Sequence, residues 1–168
     1  MKTLIAYATR QGSTERSARA LAEALAKADG REVAVKDARA VGQRDIEAFD
    51  SFVVGSSIMA GQWKGSAKRL CRKLAMTDKP VAVFVSAGGV INGPRPGDGQ
   101  PTELKPLAER EAEAIKLFVE PVVGQIGVAP CAVAAFGGRM TMFGRQMFDS
   151  WDGARVAAWA AELVEALK

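Results

Sequence analysis

Short apolar runs alternate with amphipathic stretches along the whole chain, a rhythm that predicts strands and helices in alternation. The strand candidates are residues 3–8, 32–37, 51–54, 81–86 and 131–136. Three of these are nearly continuous in apolar residues, as expected of parallel strands covered on both faces, while the alternation around Lys36 marks the second as an edge. Helix candidates follow the 3.6-residue period: Ala18, Leu21, Ala22 and Leu25; Ala67, Leu70, Cys71 and Leu74; Ala108, Ala112, Ile115 and Phe118; Val156, Ala160, Leu163, Val164 and Leu167. Residues 45–48 leave room for about one helical turn. Right-handed crossovers turn five such strands into a three-layer, doubly wound α/β sheet, and both common strand orders place a ligand crevice at the carboxyl ends of the first and neighbouring central strands. Chemistry is therefore expected in the loops after the first, third and fourth strands.

Composition narrows what that chemistry is. With 168 residues, 48% of them hydrophobic and 25% charged, residues 1–168 read as one domain that needs no disulfide or structural metal. The two cysteines, Cys71 and Cys131, fall on an apolar helix stripe and at the start of a central strand, and both are expected in the core. The chain has 0 histidines, which removes the base of serine–histidine hydrolases and the usual zinc ligand. Difficult chemistry would then come from a bound cofactor. The N-terminus reads as neither a signal peptide nor a membrane span, and no uninterrupted apolar stretch approaches the length of a span, so a cytoplasmic protein is expected. A net charge of +4 permits an anionic partner without indicating nucleic acid, and none is expected.

The first strand runs into Thr9-Arg10-Gln11-Gly12-Ser13-Thr14, after which a helix begins. Small residues, hydroxyls and an arginine at a helix N-terminus suit a phosphate, because free N–H groups and the positive end of the helix dipole point there. The plainer alternative is that Ser13 or Thr14 simply caps the helix. Neither Gly-x-Gly-x-x-Gly nor a Walker-type motif occurs. A receiver domain shares the sheet order, yet it needs an acidic pair and an aspartate where this chain has Thr9-Arg10 and Gly55-Ser56.

Placed directly after the first strand, Thr9 to Thr14 resembles the FMN-phosphate loop of flavodoxins, with Gln11 standing where their middle threonine is usual. The Thr-Arg-x-Gly-x-Thr form looks most like the flavodoxin-type menaquinone-dependent protoporphyrinogen dehydrogenases. Their third-strand exit is similar to Val53-Val54-Gly55-Ser56-Ser57-Ile58-Met59-Ala60-Gly61-Gln62-Trp63. The resemblance implies a flavodoxin-like sheet of five parallel strands in the order 2-1-3-4-5 and FMN as cofactor. It implies that the phosphate sits on Thr9, Arg10, Gln11, Gly12, Ser13 and Thr14, and that the ring lies along Ser56, Ser57, Ile58, Met59, Ala60 and Gly61. The Ala60–Gly61 peptide would be the switch that meets the ring's N5, and Trp63 either stacks on the ring or covers the start of the next helix. Ser86, Ala87, Gly88 and Gly89 would form the second ring-binding loop. Here the chain departs from the family, since the only tyrosine, Tyr7, lies inside the first strand rather than in a stacking position.

Glycines and prolines crowd residues 88–106, and residues 91–101 are expected to act as a lid over the ring. Residues 137–148 bring together Met140, Met142, Met147, Phe143, Phe148, Arg139 and Arg145, a surface suited to a quinone, a lipid headgroup region or a partner protein. The related dehydrogenases carry a longer basic insertion there before the Asp-Trp that opens their last helix; this chain passes quickly to Trp151-Asp152. Lys64, Lys68, Arg69, Arg72 and Lys73 read either as a solvated helix face or as a place to recruit an acidic donor protein.

The expected function is FMN-dependent electron transfer or oxidoreduction, with a partner protein or a small molecule such as a quinone or porphyrinogen, and with peripheral membrane contact open. The alternatives are an NAD(P)H:quinone reductase and a flavin-free binding or scaffold domain. With Arg10, Lys64 and Lys68 near the ring, its potential is expected to be less negative than in an acidic flavodoxin.

Overall fold

A computed structural model of the chain describes residues 1–93, 99 and 103–168. Its parallel strands are β1 (Lys2–Ala8), β2 (Glu32–Asp37), β3 (Ser51–Met59), β5 (Val81–Ser86) and β6 (Ala132–Phe136), in the order β2-β1-β3-β5-β6. This is the expected 2-1-3-4-5 order counted over parallel strands. A two-residue strand, β4 (Gln62–Trp63), folds back antiparallel on the end of β3. Beyond β6, β7 (Arg139–Met142) and β8 (Arg145–Asp149) form a separate antiparallel hairpin.

The helices split into two layers because their apolar stripes face opposite sides of the sheet. On one side α1 (Ser13–Asp29) and α7 (Gly153–Ala166) cover Ile5, Val53 and Phe84 with Leu21, Leu25, Val156 and Leu163. Phe84, Phe136 and Trp159 form an aromatic cluster there, with ring centroids 5.5 to 6.1 Å apart. On the other side α2 (Gln43–Ala48), α3 (Gly65–Leu74), α4 (Gly88–Asn92), α5 (Leu107–Ala114), a π turn (Ile115–Val119) and α6 (Glu120–Ile126) pack over Leu4, Phe52, Val54, Val83 and Val85. Each fully buried side chain of this size contributes about 1.5–3 kcal/mol, so the strand cores hold both layers in place.

Four expectations change. Strand three is longer than residues 51–54, because its exit stays extended as far as Met59 to pair with β4. Ala108 and Ala112 are exposed rather than buried; the π turn adds a residue to the coil and shifts its phase, so Ala114 and Val119 bury instead. Cys131 is exposed, since β6 is the sheet edge and not a central strand, whereas Cys71 is buried as expected. Part of the presumed loop 88–106 is helical, in α4. The lid expected of residues 91–101 falls mainly outside the described residues. Among the described residues, no helix is long and apolar enough to cross a membrane.

Candidate functional site

The carboxyl ends of β1, β3 and β5 open into a cleft of about 280 Å³. Its floor is the β1–α1 turn. Gly12 sits at the N-cap of α1 with φ 87°, a left-handed conformation that glycine adopts without steric cost, and no side chain caps this end of the helix. Neither Ser13 nor Thr14 is therefore the cap. The Thr9 hydroxyl accepts from the Gly12 N–H at 2.9 Å, while the Ser13 hydroxyl accepts from the Arg139 N–H at 2.8 Å. The N–H groups of the first turn lack intrahelical partners, and Ser13 and Thr14 line the cleft at the positive end of a 17-residue helix.

Three cations surround this turn. Arg10 and Arg139 line the cleft, and Lys64 donates to the Thr9 carbonyl at 3.0 Å from behind. Arg139 also donates to the Gln11 carbonyl at 2.9 Å, and Gln11 accepts from the Thr141 N–H at 2.6 Å, so the β7–β8 hairpin is latched onto the turn. That hairpin approaches closely on its other side as well. A Cβ on Gly88 would lie 2.6 Å from Phe148 and 3.1 Å from the Gly138 carbonyl oxygen, which makes glycine a packing requirement there.

The β3–β4 hairpin forms one wall. Ala60 and Gly61 occupy its tip at φ 48° and 72°, a turn with both central residues left-handed, as tight hairpins favour. Ser57, Ile58, Met59 and Ala60 line the cleft, opposed by Ser86, Ala87, Gly88, Gly89 and Val90 from the β5 exit. The Ser57 hydroxyl is buried with no hydrogen-bond partner, while Ser56 is committed to structure, accepting from the Lys64 N–H at 2.9 Å. A buried hydroxyl without a partner beside an open cleft is free to bond to water or to a ligand that enters it.

The structure thus gathers Thr9, Arg10, Gln11, Ser13, Thr14, Ser57, Ile58, Met59, Ala60, Ser86, Ala87, Gly88 and Gly89 around one cavity. Gly12, Ser56 and Gly61 shape its backbone without lining it. Trp63 does not line the cleft. It is 4% exposed, pairs with Ile58 across β4, and donates its indole N–H to the Phe118 carbonyl at 2.5 Å, so its ring is core rather than a stacking platform. The stacking tyrosine is likewise absent from the cleft, Tyr7 being half-buried within β1.

Sequence reasoning missed Val90, Phe118, Gly138, Arg139 and Met140 as lining residues. Phe118 comes from the π turn, which no periodicity reveals. The hairpin carrying the last three had a readable signal in Phe143-Gly144 between runs of alternating residues; both turn residues have positive φ, and Phe143 is 96% exposed at the tip.

Among the described residues, none that lines the cleft is a carboxylate, histidine, cysteine or tyrosine. The cleft can bind an anion and a flat apolar body; among the described residues its lining offers serine and threonine hydroxyls but no carboxylate or histidine beside them to act as a base.

Comparison with known proteins gives the same frame. A family model of the flavodoxin domain matches residues 4–143. Oxidised Flavodoxin 1 from Bacillus cereus superposes with a TM-score of 0.59 at 16% identity, over 100% of both chains. A cysteine-to-alanine variant of flavodoxin from Pseudomonas aeruginosa gives 0.57 at 19% identity, over 99% of each. Rubredoxin oxygen:oxidoreductase from Desulfovibrio gigas gives 0.60 at 18% identity; the match covers 99% of this chain and 36% of that one, so this chain spans about a third of that relative. No curated protein sequence matches the chain. At these identities the structural likeness concerns the fold, whereas the family model extends over most of the sequence. The chain belongs to the flavodoxin family.

Proposed function

We propose that the cleft binds FMN and that the protein is a cytoplasmic electron-transfer flavoprotein or FMN-dependent oxidoreductase. The observation that carries this reading is the uncapped N-terminus of α1, backed by Arg10, Arg139 and Lys64 and opening beside an unpartnered Ser57 hydroxyl. The first-turn N–H groups of α1 would hold the phosphate, with Arg10 and Arg139 offsetting its charge. Ser57 would bond a polar edge of the ring system, and Met59, Val90, Phe118 and Met140 would supply its apolar surroundings. When bound, the flavin supplies the electron-accepting chemistry that the lining side chains lack.

The site's charge bears on the potential. A cation about 10 Å away at an effective dielectric of 20 stabilises added negative charge by roughly 1–2 kcal/mol, or tens of millivolts. With cations and, among the described residues, no carboxylate lining the cleft, a potential less negative than that of an acidic flavodoxin follows, which suits a quinone or a porphyrinogen as the small-molecule redox partner.

The test is a fluorescence titration of the flavin-free protein with FMN and with riboflavin, which lacks the phosphate. Two charge-assisted hydrogen bonds to the phosphate are worth at least about 3 kcal/mol, so FMN should bind roughly a hundredfold more tightly. Ser13→Asp, which keeps an acceptor for the Arg139 N–H but puts a negative charge in the cradle, should remove that preference. Equal affinity for the two flavins would refute the phosphate site, and uptake of neither would refute the proposal and favour a scaffold domain.

A further inference from the structure

The net charge of the chain is +4, from 23 basic and 19 acidic residues. Helix α3 carries four cations, Lys68, Arg69, Arg72 and Lys73, and no acidic residue. Without them 19 basic residues face 19 acidic ones, so the whole excess resides on this one helix. Several cations elsewhere are matched, Arg19 with Glu15, Arg31 with Asp29, Lys36 with Asp45, Arg39 with Asp37 and Arg155 with Glu111, while Arg10, Lys64 and Arg139 stand around the cleft. Among the described residues, none of the four on α3 has an ion pair. They also stand as like-charged pairs four positions apart, 68 with 72 and 69 with 73, a spacing that disfavours the isolated helix. Nothing in the fold uses this arrangement.

Beside it lies a second cavity of about 160 Å³, lined by Arg69, Lys73, Ser66 and Leu70 of α3 together with Arg39 and Val41. Arg39 is already held by both oxygens of Asp37, at 3.0 and 2.9 Å. Arg69 and Lys73 are the cations left to meet an incoming anion, in a space that takes one carboxylate side chain. The face continues through Lys64 to the Thr9 carbonyl, so it borders the cleft directly.

We propose that the α3 face is the docking surface for an acidic electron-donor protein, one of whose carboxylates seats between Arg69 and Lys73. This rests on the flavin reading for its purpose, though not for its geometry. Protein is favoured over other polyanions by what the face lacks. Helix α3 carries no aromatic side chain on which a base would stack, and its only large apolar side chains, Leu70 and Leu74, are buried; the single exposed Met76 just past its end is too little apolar surface to anchor on a lipid layer. Such a partner gives up one electron per encounter; it is oxidised by one and the bound flavin is reduced by one.

The experiment titrates the full chain, flavin-free and FMN-loaded in parallel, with an acidic [2Fe–2S] ferredoxin as probe. Binding should weaken at least about tenfold between roughly 20 and 300 mM salt, as screening shortens the reach of the charges. The combined Lys68→Gln, Arg69→Gln, Arg72→Gln and Lys73→Gln variant should lose about tenfold or more at low salt, with Arg69→Gln the most damaging single change. FMN uptake by that variant should be unchanged, which separates docking from cofactor binding. If FMN fails to bind the parent protein while the flavin-free form still binds the probe through these residues, the flavin reading falls and the docking surface stands. Binding of the probe that ignores the four substitutions, or tighter charge-dependent binding of duplex DNA or anionic vesicles to the same face, would overturn the proposal.

Discussion

Thr14 donates its hydroxyl to Ser86 Oγ at 3.0 Å, so two residues 72 positions apart pin the first turn of α1 to the carboxyl end of β5. Both are buried, at 0% and 6% exposure, beneath the floor of the cleft. The bond therefore fixes the spacing between the β1–α1 turn proposed to hold the phosphate and the loop proposed to take the ring.

Ser86→Ala leaves the Thr14 hydroxyl buried without its acceptor and should cost about 1–3 kcal/mol. Adding Thr14→Val removes the orphaned group, and the double variant should be about 1 kcal/mol more stable than the sum of the single changes. Urea unfolding of the four proteins measures that coupling; strict additivity would mean that the contact contributes nothing.

Trp63 gives a second expectation. Trp63→Phe deletes the indole N–H and leaves the Phe118 carbonyl without that donor, at a cost of about 1–2 kcal/mol. Because the Trp63 side chain does not line the cleft, the absorption spectrum of bound flavin should be the same in the variant and the parent. A shifted spectrum with unchanged stability would put the ring where the geometry does not.

Ala60 holds φ 48° at the tip of the β3–β4 hairpin, a region that costs an L-residue roughly 1–2 kcal/mol. Ala60→Gly relieves that strain while freeing the unfolded chain, so the net gain should be about 0.5 kcal/mol or slightly more, read as a higher thermal midpoint. The same glycine makes the Ala60–Gly61 peptide easier to reorient. A lower midpoint would show that the methyl group makes a contact worth more than the strain.

The response to acid follows from Asp29. Its carboxyl is held below the usual range, first by its hydrogen bonds from Arg31, whose side chain is 2% exposed. A carboxyl depressed by folding contributes fully above its unfolded value and loses that contribution as pH falls from about 4 through the lower folded value. Asp29→Asn leaves Arg31 buried without a counter-charge and should cost about 3 kcal/mol at pH 7. The gap between variant and parent should close below about pH 4, as the parent's own carboxyl protonates. A gap constant with pH would mean that packing, not charge, is what Asp29 supplies.

How much of this was legible beforehand depends on whether local pattern or distant contact sets each feature. The parallel strands are visible as apolar runs because burial on both faces demands them, and the Thr9–Thr14 turn is visible because anion binding at a helix start restricts residue types. Trp63 was misplaced because nothing in its neighbourhood announces that the Phe118 carbonyl, 55 positions away, will accept its N–H. Cys131 was misplaced although the expected order already put its strand at the sheet edge; it lies one residue before β6 begins and is exposed there. Ala108 and Ala112 were put on the buried stripe by a period that the π turn then breaks.

That widened coil at Ile115–Val119 acts as a spacer of adjustable thickness. Excising a single residue from it would swing Phe118 by roughly 100° about the axis. Its ring would leave the pocket and its backbone oxygen would desert Trp63, while every strand kept its register. The breadth of the pocket is thereby set by a peripheral helix rather than by the β-scaffold.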